Sequence, residues 1–170
     1  MAATTAQARL QEVQDALESG EFDQTGFGSP EHGAVVELLM VDFFGFEWVD
    51  GKAIDARDSD DRPVQIKACQ VEHSNGPDET VKGRWDAWRK SLLRLLDSDG
   101  LYLLVVYDGD ADPANLTMDD IRAWKFLDAA EFGELIDDGA WHDHNRPSKG
   151  QRARLSWAHV FDPVEVSDDA

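Results

Sequence analysis

A chain of 170 residues is long enough to bury one hydrophobic core, and its 35 Asp and Glu against 16 Lys and Arg leave a formal net charge of −19. So acidic a surface excludes binding to DNA by bulk charge, and any nucleic-acid contact must be local. The single cysteine, Cys69, excludes an intramolecular disulfide, and no apolar run approaches the roughly 20 residues of a membrane-spanning helix.

The polar N-terminus lacks the apolar centre of a signal peptide, so a cytoplasmic protein with no membrane partner is expected. The acids are spread along the chain, many in loops (Asp58, Asp60, Asp61, Asp108, Asp110, Asp112), and Lys is scarcer than Arg. This pattern resembles proteins of salt-loving archaea, in which self-repulsion is screened within about 3 Å at 1 M salt. The competing expectation is that the acid itself is functional, as a mimic of nucleic acid.

Taken in order, Thr5–Ser19 has Leu10, Val13 and Leu17 at helical spacing, and Gly20 stops the helix. Ser29-Pro30 supplies an N-cap and a first-turn proline for a second helix, whose Val36, Leu39, Met40 and Phe43 form a core stripe ending at Gly45. On the flank of that stripe Gly33 and Glu37 are stacked one turn apart. Phe46–Val49 reads as a first strand. Two more strands, Ala53–Arg57 and Val64–Gln70, are joined by a turn through Asp58–Pro63, whose Asp and Pro bend the backbone. Val71–Thr80 reads as a loop and Val81–Asp97 as an amphipathic helix with Trp85, Trp88, Leu92 and Leu95 on one stripe, its tryptophans core rather than stacking platforms. Leu101–Tyr107 is an unbroken apolar run, the mark of a strand buried on both faces. A strand around Arg122–Leu127, a helix at Asp128–Ile136, a polar loop at Trp141–Gly150 and a last strand at Ala153–Phe161 complete the reading.

Residues two apart on a strand share a face, so Gln65 and Lys67 point one way while Val64, Ile66 and Ala68 point into a core. A hairpin of this length brings Asp55 beside Gln65. One carboxylate, one amide oxygen and one amine then lie on a single sheet face, a pattern suited to a metal and a phosphate. His142 and His144 are two apart but lack further ligands for zinc. Cys69, which alternation puts on the Lys67 side, reads as an inert packed thiol. Basic residues are densest at Arg146, Lys149, Arg152 and Arg154, the first choices for phosphate contact; Arg84, Arg89 and Lys90 are further ones.

Gly33 and Glu37 on a helix, FFGFEWV, then Asp55, then QIKAC, followed by an amphipathic helix and a buried strand, resemble the PD-(D/E)xK nuclease superfamily, with Holliday junction resolvases and compact type II restriction enzymes the nearest by spacing. The resemblance covers about Gly33 to Tyr107. It implies an α/β restriction-endonuclease-like fold, a mixed central β-sheet flanked by helices around an αβββαβ core. One domain over 1–170 is expected, with its core at about 29–107, the N-terminal helix at 5–19 and a C-terminal extension at 116–163. It further implies a divalent-metal-dependent DNA endonuclease using Mg²⁺, with Mn²⁺ able to substitute, acting as a homodimer on DNA. Asp55, Gln65, Glu37 and the Ile66 carbonyl would hold metal. Lys67 would position or help deprotonate the attacking water, or stabilise developing charge. Gln65 departs from the family, which usually has Glu or Asp there, so a catalytically inactive nucleic-acid-binding module stands beside the enzyme as an alternative.

Overall fold

The computed structural model describes residues 5–22, 31–49, 54–74, 76–144 and 150–167. Thr5 caps helix α1 (Ala6–Ser19), its hydroxyl accepting from the Ala8 N–H at 3.2 Å, and Gly20 ends the helix with φ 77°. Helix α2 (Glu31–Phe44) ends at Gly45 as expected; its proposed Ser29-Pro30 start lies outside the described residues. Strands β1 (Glu47–Trp48) and β2 (Ala56–Arg57) precede β3 (Pro63–Gln70). The turn between β2 and β3 is built as its composition predicts. Asp58 Oδ1 accepts from the N–H groups of Asp60 at 3.0 Å and Arg62 at 2.8 Å. Strand β2 is shorter than expected: Asp55 sits just before it, and Ala53 lies outside the described residues.

The next stretch corrects the sequence reading. Val71–Thr80 is not all loop, because β4 (Glu72–Ser74) pairs with β5 (Thr80–Lys82). Val81–Asp97 is not one helix: strand β6 (Arg84–Trp88) comes first and helix α3 is only Arg89–Asp97. The spacing of Trp85, Trp88, Leu92 and Leu95 suits a helix, yet Arg84–Trp88 also alternates, with Trp85 and Ala87 buried and Arg84 and Asp86 exposed. A distant partner settles the ambiguity. After β7 (Leu101–Tyr107), β8 (Ile121–Asp128), α4 (Ala129–Glu134) and β9 (His142–Asp143), strand β10 (Gln151–Ser156) pairs with β6 from Arg152↔Trp88 to Ser156↔Arg84. The last strand is therefore shorter than Ala153–Phe161, β9 lies inside the expected polar loop, and a short helix α5 (Pro163–Val166) follows.

The central sheet runs β1-β2-β3-β7-β8, with β3 and β7 parallel and the other neighbours antiparallel. One face carries α1 and α2, whose Val13, Val36, Leu38 and Met40 pack on Val64, Ile66, Leu103 and Val105. The other is covered by α3, α4 and a second sheet, β6-β10-β9, through Trp85, Leu95, Phe132 and Leu155. Leu101–Tyr107 is thus apolar because both faces of β7 are covered. Phe43, expected on the buried stripe of α2, is 53% exposed; wedged between α1 and the sheet, α2 buries Val35, Leu38 and Val41 instead. Cys69 is packed in the core, where burial pushes its thiol pKa up. Among the described residues no helix is long and apolar enough to cross a membrane.

Gly83 locks the second sheet to the first. Its N–H donates to the Val71 carbonyl at 3.0 Å, its own carbonyl accepts from Trp157 N–H at 3.2 Å, and a Cβ there would collide with the Gln70 carbonyl oxygen. Since backbone cannot yield cheaply, Gly83→Ala is expected to destabilise by about 1–3 kcal/mol. Urea unfolding of the two proteins measures this, and an unchanged midpoint would show that the close approach is slack.

Candidate active site

Strand β3 pairs with β2 only at Pro63 and Val64. Among the described residues no strand continues the β2 ladder along β3 beyond that point, and the Asp55 side chain fills the next place in it. The Ile66 N–H donates to Asp55 Oδ2 at 2.7 Å, and Gln65 Nε2 donates to the same oxygen at 2.9 Å. The Asp55 backbone is fixed from both sides, its N–H donating to Val64 O at 3.0 Å and its carbonyl accepting from Val49 N–H at 2.9 Å. Because the N–H and C=O of one strand residue face the same edge, the Ile66 carbonyl turns toward Asp55 as its N–H does.

Glu37 enters from the middle of α2, half-buried. Burial first, then the charge of Asp55 and a hydrogen bond shared with it, push the Glu37 carboxyl up to about 10, while the Trp48 indole N–H pulls the other way. Lys67 is half-buried on the same face of β3 as Gln65. Burial lowers the pKa of its ammonium, and the charges of Asp55 and Asp86 oppose that shift. Glu37 from α2, Asp55 from before β2, and Gln65 and Lys67 from β3 therefore meet at one sheet edge.

Among the described residues no three His, Cys, Asp or Glu side chains converge as a metal cluster. The donors here are two carboxyls, an amide oxygen and a main-chain carbonyl, a set of hard oxygens that suits Mg²⁺ better than a soft metal. A Glu37 carboxyl pushed up to about 10 by burial and by the charge of Asp55 is a group whose ionised form a divalent cation would stabilise. The residues fit such an ion. His142 is exposed and hydrogen-bonded to the Ala140 carbonyl at 3.2 Å, and His144 packs edge-on to Trp88.

Of the basic residues singled out from the sequence, Arg84, Arg152 and Arg154 share the outward face of the second sheet. Arg89 donates to Gln151 Oε1 and lies over the Trp141 ring, while the Lys90 stem runs against Gly150. Arg146 and Lys149 lie outside the described residues. Two neighbours of the site escaped sequence reasoning. Trp48 carried a signal, an indole N–H in need of an acceptor on a strand next to the acid-bearing helix. Asp86 was hidden by the helical reading of its segment; on a strand it faces outward, toward Lys67.

A family model described as a PD-(D/E)XK nuclease superfamily domain matches residues 23–162, a span that includes both sheets and the site. No curated protein matches the chain.

Proposed function

The chain belongs to the PD-(D/E)XK nuclease superfamily, whose members are typically nucleases and generally use divalent metals, and from that premise we propose that it is a Mg²⁺-dependent DNA endonuclease. The observation that carries this reading is the pairing of the Glu37 and Asp55 carboxyls beside Lys67 at the open edge of β3. Asp55, Glu37 and the Ile66 carbonyl would hold the ion, with Gln65 beside them. When bound, it polarises a phosphoryl oxygen and lowers the pKa of water.

The chain's own groups do the rest. Two donors on Oδ2 hold the Asp55 carboxylate in one orientation. The Gln65 amide N–H₂ is one of them, so an uncharged residue serves where the superfamily usually has an acid: it aims Asp55 rather than adding charge. Glu37, protonated in the metal-free chain, would have to release its proton to solvent to hold the ion. Lys67 holds the attacking water in line, and its Nζ faces the charge that grows on the phosphate. Cutting both strands of a duplex needs two such sites, which a homodimer would supply.

Gln65 also favours a second reading, a nucleic-acid-binding module that no longer cleaves. The clustering of Glu37, Asp55 and Lys67 is not what an acidic DNA mimic requires. Nicking of supercoiled plasmid at molar KCl decides among them. The proposal expects nicked product with millimolar Mg²⁺ or Mn²⁺, none in EDTA, and recovery on adding metal back. Retention of plasmid without nicking under all metals would instead establish the binding module.

A further inference from the structure

The sheet β6-β10-β9 turns Trp85, Ala87, Ala153 and Leu155 into the core and leaves its other face to solvent. The strand register sets that outer face in rows: Arg84 beside Ser156, Asp86 beside Arg154, and Trp88 beside Arg152, with His142 next across on β9. Asp86 is the acid of this face and serves two arginines, its Oδ1 3.3 Å from Arg154 Nε and its Oδ2 3.9 Å from Arg152 Nη1. Among the described residues, three guanidinium groups against one carboxylate leave the patch positive, in a chain whose net charge is −19. The Arg152 guanidinium also lies 5.8 Å from the Trp88 ring centroid, which holds it along the sheet.

The same face borders β3, the strand that carries Lys67, and its Asp86 acts on the Lys67 charge. A cavity of about 260 Å³ separates it from β3 and is lined by Gln70, Gly83, Arg84, Asp86, Tyr107 and Arg154. Its β3 wall begins at Ala68, the residue after Lys67.

We infer that the outer face of β6-β10-β9 is the docking surface for a nucleic-acid strand, with Arg84 and Arg154 bonding backbone phosphates at the cavity that opens beside Lys67. This rests on the nuclease reading for its substrate and adds where the strand lies. Charge complementarity names the occupant, because a polyanion is repelled by most of this surface and attracted here. Arginine suits this role because its planar fork makes directed, charge-assisted bonds to phosphate, which persist in salt better than diffuse attraction does. Asp86 leaves room for this, since a guanidinium has five N–H donors and can serve a carboxylate and a phosphate together.

The test uses the full chain with Asp55→Asn, to silence cleavage, and measures fluorescence anisotropy of labelled duplex and single-stranded DNA across a KCl series. Adding Arg84→Ala and Arg154→Ala together should raise Kd at least about tenfold and flatten the slope of log K against log salt by about one for each arginine lost. Lys125→Ala, exposed on the edge strand β8, should leave both unchanged. Both arginines are exposed, so the variants should fold, which circular dichroism checks. The duplex and single-strand arms report which form lies along the face. If the Asp55→Asn protein binds DNA and the double arginine variant binds it equally well with the same salt slope, the docking face is overturned and the nuclease reading stands. If neither this protein nor the unaltered chain binds DNA, the inference falls, and absence of nicking as well brings down the reading beneath it.

Discussion

Asp55→Asn is expected to slow plasmid nicking by about 10³-fold or more while the protein stays folded. A bound divalent ion stabilises the charge of phosphodiester hydrolysis by several kcal/mol, and about 4 kcal/mol corresponds to about 10³ in rate. Asparagine is the informative replacement because of how Asp55 is held. Its side-chain oxygen can still accept from the Ile66 N–H, the bond made at 2.7 Å in the native chain. Little stability should then be lost, about 1 kcal/mol at most. What disappears is the negative charge opposite Glu37 and Lys67. Lys67→Ala should lower nicking by about 10²–10⁴-fold through a different route, by removing the group that aligns the water. An Asp55→Asn protein that folds normally and keeps more than a tenth of native activity would show that catalysis takes place elsewhere.

The second large effect concerns Glu37 and runs in opposite directions for stability and activity. In the folded, metal-free chain the Glu37 carboxyl keeps its proton up to about pH 10, against an ordinary value of 4.5. Between those limits the folded state binds more protons at this position than the unfolded state does. Its stability therefore falls as pH rises, by up to about 1.4 kcal/mol per pH unit. Glutamine has the same shape and nothing to titrate. In EDTA, Glu37→Gln should match the native chain near pH 5 and gain on it steadily above that. At pH 9 the advantage should reach a few kcal/mol, or roughly 5–10 °C in melting temperature. Mg²⁺ should reverse the order, because it stabilises only the protein that has both carboxylates to offer. Nicking by the variant should drop at least about 10²-fold. Melting curves from pH 5 to 9, with and without metal, measure the first part. A variant no more stable than the native chain at pH 9, or a gap that ignores pH, would refute the paired-carboxyl description of the site.

The same linkage explains why the site stands on an open edge. A carboxyl as desolvated as Glu37 is tolerable only where a partner can neutralise it, either a proton or a cation arriving from solvent. Strand β2 begins only at Ala56, so its antiparallel ladder to β3 ends at Val64, and the Asp55 side chain takes over the hydrogen bond that a longer strand would have made. Acid, amide and ammonium are thus presented at a gap in the sheet rather than inside it.

Features that depend on short-range periodicity and local hydrogen bonding could be read from the chain before any folding. Alternation in Pro63–Gln70 put Gln65 and Lys67 on one face of β3, the Asp58 side chain set the turn that brings Asp55 alongside, and the run Leu101–Tyr107 announced a strand covered on both sides. The conformation of Arg84–Trp88 depended instead on long-range pairing. Its pattern satisfies a helix and a strand equally, and only β10, arriving from near the end of the chain, offers it a ladder to join. With that pairing came the arginine-bearing face and the place of Asp86 next to Lys67. The proton on Glu37 was equally beyond local pattern, because it depends on how deeply the folded chain buries that carboxyl and on the Asp55 charge held beside it.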